Sequence, residues 1–100
     1  MNASTAAQFS TADFARVEQL TAYHSTDSHT NALQAFDFDV YPESTASTDS
    51  YEDDGSWHVN AGHVRFVASL GESTPRAQFR RQAARFESAV RAFAAAHASA

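Results

Sequence analysis

The chain has 100 residues, no cysteine and a formal net charge of −5 at pH 7. That length supports one domain with one core, and the missing cysteines exclude a disulfide framework, a thiolate metal site and a cysteine nucleophile. Residues 1–72 carry a balance of −9 and residues 73–100 a balance of +4, a layout that disfavours direct nucleic-acid binding and attraction to anionic membranes.

The opening MNASTAAQFSTADF has neither a basic start nor an apolar run, so no secretory or transit segment is expected. No segment reaches the length of a membrane span. The expectation is a cytoplasmic protein, on which the Asn2-Ala3-Ser4 sequon is a chance match. Residues 1–8 are expected to be disordered.

QFSTADFARVEQLTAYH predicts the first helix. Ser10 is a candidate N-cap, with Asp13 at the third helical position as a variant capping box and Phe9 and Phe14 at the staple positions. Phe14, Val17, Leu20 and His24 follow at spacings of three or four, one stripe of a helix ending near His24. STDSHTN reads as a turn. ALQAFDFDVYP alternates with period two, placing Phe36, Phe38 and Val40 inward and Asp37, Asp39 and Tyr41 outward on a half-buried strand that Pro42 ends or marks as an edge.

Residues 43–56 are Ser, Thr, Asp and Glu with one tyrosine, and read as an acidic mobile loop. Trp57, Val59 and Ala61, then Val64, Phe66, Ala68 and Leu70, alternate with polar residues on two strands joined by a tight Ala61-Gly62 turn. If Val59 faces Val64, Trp57 faces Phe66, and His58, Asn60, His63 and Arg65 share the opposite side.

In the last segment Thr74 is a plausible N-cap with Pro75 at the first helical position. Phe79, Ala83, Phe86, Val90, Phe93 and His97 form one long apolar stripe, and Glu87 and Arg91 stand at i, i+4 in the favourable order. The predicted fold is α+β with two layers, a three-stranded antiparallel sheet carrying an N-terminal and a long C-terminal helix on one face.

Three constellations compete for function. His58 and His63 with Asp37 or Asp39 offer donors for zinc or a similar ion, or a hydrolytic site built on one, although neither histidine lies in a recognised metal spacing. Serine catalysis lacks a nucleophile elbow, no phosphate-binding glycine loop is present, and carboxylates in a hydrophilic loop lack the desolvation that acid catalysis needs. The order of DSYEDDG does not fit a calcium loop. No cofactor is expected.

The acidic tract is the most distinctive feature. Asp37, Asp39, Glu43, Asp49, Glu52, Asp53 and Asp54 follow one another with no intervening base, near the aromatic residues Tyr41, Tyr51 and Trp57. Such a run either keeps a loop solvated or presents carboxylates to a basic groove on a partner, where it can imitate a phosphate track. The leading expectation is therefore a non-enzymatic inhibitory or binding module. Its partner surface comprises those acids with Tyr51 and Trp57, and its target is the basic, nucleic-acid-binding site of another protein. Arg76, Arg80, Arg81 and Arg85 form a secondary basic patch. It opens a further alternative, a self-associating subunit or homodimer held by opposite charges.

Overall fold

In a computed structural model of the chain, residues 6–99 are described; the sequon at Asn2 and the first five of the residues expected to be disordered lie outside them. The elements are a 3-10 turn at Thr11–Asp13, then α1 Phe14–Ala22, α2 Ser28–Gln34, β1 Phe38–Ser47, β2 Ser50–Asp53, β3 Ser56–Ser69 and α3 Arg76–His97. The strands form one antiparallel sheet in the order β1-β3-β2. The architecture is the expected α+β fold, with the strands drawn from partly different residues.

The start of α1 follows the capping pattern. The Asp13 carboxylate accepts the Ser10 backbone N–H at 2.8 Å, and Phe9 and Val17 are buried. The helix stops at Ala22, so His24 lies beyond it and is exposed. The stretch read as a turn instead starts a second helix. Asp27 caps α2, accepting the Thr30 backbone N–H at 3.0 Å and the Thr30 hydroxyl at 2.7 Å. Ser, Thr, Asp and Asn serve turns and helix caps alike, and α2 also takes in the Ala-Leu-Gln that precedes the alternating run.

The acidic tract is likewise strand rather than loop. β1 continues through Ser47 with an irregularity between Pro42 and Ser47, and β2 follows after two residues. Residues 43–53 order themselves by pairing with β3 on the tertiary level, which local composition does not report. A two-residue Asp54-Gly55 turn, with φ of 49° and 77°, connects β2 to β3. Asp-Gly is a strong hairpin signal.

β3 doubles back at Gly62, where the reversal was expected. Fourteen extended residues would span roughly 46 Å, beyond the longest molecular dimension of 37 Å. The two ends of β3 meet, because the Gly55 carbonyl accepts the N–H groups of Leu70 and Gly71 at 2.9 and 3.0 Å. Phe9 clamps the bend: its N–H donates to the Ala61 carbonyl at 3.0 Å and its carbonyl accepts the His63 N–H at 2.9 Å. The reversal puts Val59, Ala61, Val64, Phe66 and Ala68 together in the core.

α3 covers that face. Phe79, Ala83, Phe86, Val90, Phe93 and Ala94 are buried along one stripe, and Phe9, Phe66 and Phe93 pack with ring centroids 5.9–6.1 Å apart. Each such aromatic pair adds about 1 kcal/mol beyond its buried area. Thr74 does not cap the helix. Its hydroxyl donates to the Leu70 carbonyl at 2.6 Å, and Pro75 immediately precedes the first helical residue. Among the described residues no helix is long and apolar enough to cross a membrane.

Candidate functional site: the open sheet face and its acidic end

The sheet face turned away from α3 carries one row of side chains across all its strands. Register sets Tyr41 opposite Arg65 and Tyr51 opposite His58, and the reversal of β3 brings Arg65 to His58. The Arg65 guanidinium stands 4.9 Å from the Tyr41 ring centroid and donates from Nη1 to His58 Nδ1 at 2.9 Å. The His58 ring stacks on Tyr51 at 4.5 Å and 13°. Both tyrosines remain more than two-fifths exposed, whereas His58 is buried at 8%.

Electrostatics in the row follow from those contacts. His58 is held below the usual histidine pKa first by burial and then by the adjacent Arg65, against a smaller opposing pull from Asp53. With Nδ1 accepting from Arg65, the neutral ring carries its proton on Nε2. Arg65 in turn donates from Nε to Glu43 at 2.7 Å. His63 is tied elsewhere, its Nδ1 lying 2.8 Å from the Glu43 carbonyl oxygen.

These contacts give the zinc alternative no support. His58 and His63 share the predicted side, but one ring nitrogen of each is committed, and among the described residues no three His, Asp or Glu side chains form a metal-holding group.

The seven acids of the tract separate into two classes. Glu43 pairs with Arg65, and Glu52, on the helix side opposite Trp57, makes two 2.9 Å bonds to Arg76. Asp37, Asp39, Asp49, Asp53 and Asp54 have no cationic partner within 4 Å among the described residues. Four of these five collect at one end of the sheet, where the ends of β3 meet. Asp39 lies opposite Val67, the Asp37 carbonyl accepts the Ser69 N–H, Asp53 lies opposite Ser56, and Asp54 is in the turn beyond it. Asp49 stands apart toward the bend, its carbonyl accepting the Asn60 N–H at 3.0 Å.

A cleft of about 400 Å³ opens at this acidic end, between β1 and the first two helices. Glu18, Thr21, Gln34, Asp37 and Asp39 contribute its polar lining. The Gln34 amide nitrogen donates to the carbonyls of Thr21 and Tyr23, leaving Oε1 buried with no hydrogen-bond partner among the described residues. Gln34 is brought here by α2, a helix the sequence pattern does not predict, and Glu18 reaches the cleft from the polar face of α1.

Trp57 leaves the group in which the sequence had placed it. It faces α3, where its indole N–H donates to Glu87 at 3.3 Å. In the basic patch Arg76 is consumed by Glu52, while Arg80, Arg81 and Arg85 are exposed and unpaired among the described residues. Comparison with protein-family models, with curated proteins and with solved structures finds no match for the chain.

Proposed function

We propose that the protein is a non-enzymatic binding module that docks a basic surface of a partner protein on the acidic end of its sheet. The observation that carries this reading is the set Asp37, Asp39, Asp53 and Asp54, gathered by the fold and lacking cationic partners among the described residues. The adjoining cleft offers the carboxylates of Glu18, Asp37 and Asp39 as acceptors, which suits lysine or arginine side chains. Tyr41 and Tyr51 lie half-exposed on the same face as rigid aromatic contacts. A site built to hold cations spaced along a surface competes with a phosphate backbone for them, so inhibition of a nucleic-acid-handling protein is the specific form of the proposal.

The test is capture of partners on the tagged protein at low and moderate salt, set beside a D37N/D39N/D53N/D54N variant. The expected result is a nucleic-acid-binding protein that salt or added nucleic acid releases and that the variant fails to retain. Retention by the variant equal to that of the native protein overturns the reading. The exposed Arg80, Arg81 and Arg85 supply a second source of cations, a second copy of the chain. Sedimentation equilibrium separates this case, since self-association would give a mass above monomer that falls with salt.

A further inference from the structure

On the helix side of the sheet, where Glu52 pairs with Trp57 one step from Asp53, β2, the start of β3 and the first half of α3 enclose a second cleft of about 330 Å³. Its walls are mainly apolar: Trp57, Phe79, Ala83 and Ala84. The small side chains of Ala83 and Ala84 leave the space that larger residues on α3 would fill. The Trp57 N–H is already satisfied by Glu87, so the indole offers the cleft an apolar surface. The volume is at the lower end of small-molecule sites.

The charges at the rim decide what fits. Glu52 and Arg76 neutralise one another through two 2.9 Å bonds, and Arg76 lies over the Phe79 ring at 4.9 Å. Glu87 is engaged by Ser50 at 2.7 Å, by Trp57 and by Arg91. Arg80, which also lines the cleft, has no carboxylate partner among the described residues. One unmatched guanidinium therefore stands beside an apolar hollow whose other charges are internally paired.

We infer that this cleft binds a small hydrophobic carboxylate, its aromatic or aliphatic body against Trp57 and Ala84 over the buried floor of Phe79 and Ala83, and its carboxylate on Arg80. The guanidinium gives a carboxylate two parallel donors, a geometry no neutral head group matches. This inference is independent of the partner-docking reading, which uses other residues on the opposite face and at the sheet end.

Trp57 is the sole tryptophan of the chain and lines the cleft, so its fluorescence reports occupancy directly. The probes are phenylpropionate and its neutral amide, titrated into the full chain. A saturable change in Trp57 emission with the acid is expected, with the amide binding about tenfold more weakly, the weight of a charge-assisted hydrogen bond. Arg80→Gln should remove that preference, bringing the acid down to an affinity equal to that of the amide. Ala84→Leu, at an exposed helical position, should abolish both signals with the circular dichroism of the fold retained. No saturable change with either probe, equal binding of acid and amide, or an undiminished preference in Arg80→Gln would each overturn the inference.

Discussion

Arg65 donates to the Nδ1 of His58 at 2.9 Å across the two halves of β3, seven residues apart in sequence. The contact exists only because the strand reverses at Gly62, and it fixes both the tautomer and the charge of the imidazole. Burial is the larger cause of the lowered His58 pKa and the Arg65 charge the second. NMR titration of the imidazole should place His58 below the ordinary histidine value. In Arg65→Met the value should rise without fully recovering it, because burial remains. A histidine whose folded pKa is depressed is neutral in the fold, so its environment costs nothing at high pH. Stability falls as pH drops below about 6.5 toward the folded pKa, and a His58→Gln variant should lose that segment of the pH profile.

Gly62 makes the reversal possible. Its φ is +77°, and a Cβ there would stand 2.5 Å from the Phe9 carbonyl oxygen and 2.8 Å from the Phe9 nitrogen. Neither obstacle is a flexible side-chain end. Gly62→Ala should therefore destabilise by more than about 1 kcal/mol, read as a lower urea midpoint. An unchanged midpoint would mean that the Phe9 clamp is not essential to the bend.

Two aspartates should dominate the acid limb of stability. Asp27 is held well below the usual carboxylate pKa first by the Thr30 hydroxyl and next by His97, whose Nε2 is 2.9 Å away. For Asp13 burial is the largest influence and opposes ionisation, yet the Ser10 N–H, Arg16 and Ser99 together bring its pKa below normal. Depressed folded values stabilise the protein above pH about 4, and that stabilisation is lost as pH falls through the folded pKa values. Asp27→Asn and Asp13→Asn should each be less stable at neutral pH and show a shallower decline in acid. Thermal melts across the acid range would expose a parallel decline, which would exclude this linkage.

Phe86 joins the halves of the core. It is fully buried, with its ring centroid 5.2 Å from that of Phe36 and 6.1 Å from that of Phe38. Phe86→Ala should cost about 3–5 kcal/mol through lost transfer energy and the remaining cavity. Phe79→Ala should cost less, since Phe79 borders the open cleft beside Trp57. Equal losses in chemical denaturation would mean that the cleft is not open space.

Several features were legible without coordinates because they depend on local period. The α3 stripe, the inward Phe38 and Val40, and the outward His58, His63 and Arg65 followed from spacings of three to four or of two. The capping carboxylate of Asp13 and the bend at Gly62 were readable for the same reason. Residues 28–34 and 43–53 depart from the local pattern because their hydroxyl and carboxylate side chains suit a loop, a cap or an edge strand equally. Their choice was made by packing and by pairing with β3, which a window of sequence does not contain.

The sequence by itself determined the two layers, the polarity of the sheet faces and the excess of carboxylates, since burial patterns and charge are properties of residue order. Only the tertiary structure decided which carboxylates are spent. The fold turns Glu52 toward Arg76 and Glu43 toward Arg65, brings Asp37 and Asp39 to the same sheet end as Asp53 and Asp54, and moves Trp57 to a different cleft. Ion pairing and cleft formation depend on approach through space to within a few ångströms, and residues separated by tens of positions come that close only when β3 doubles back and α3 lies across it.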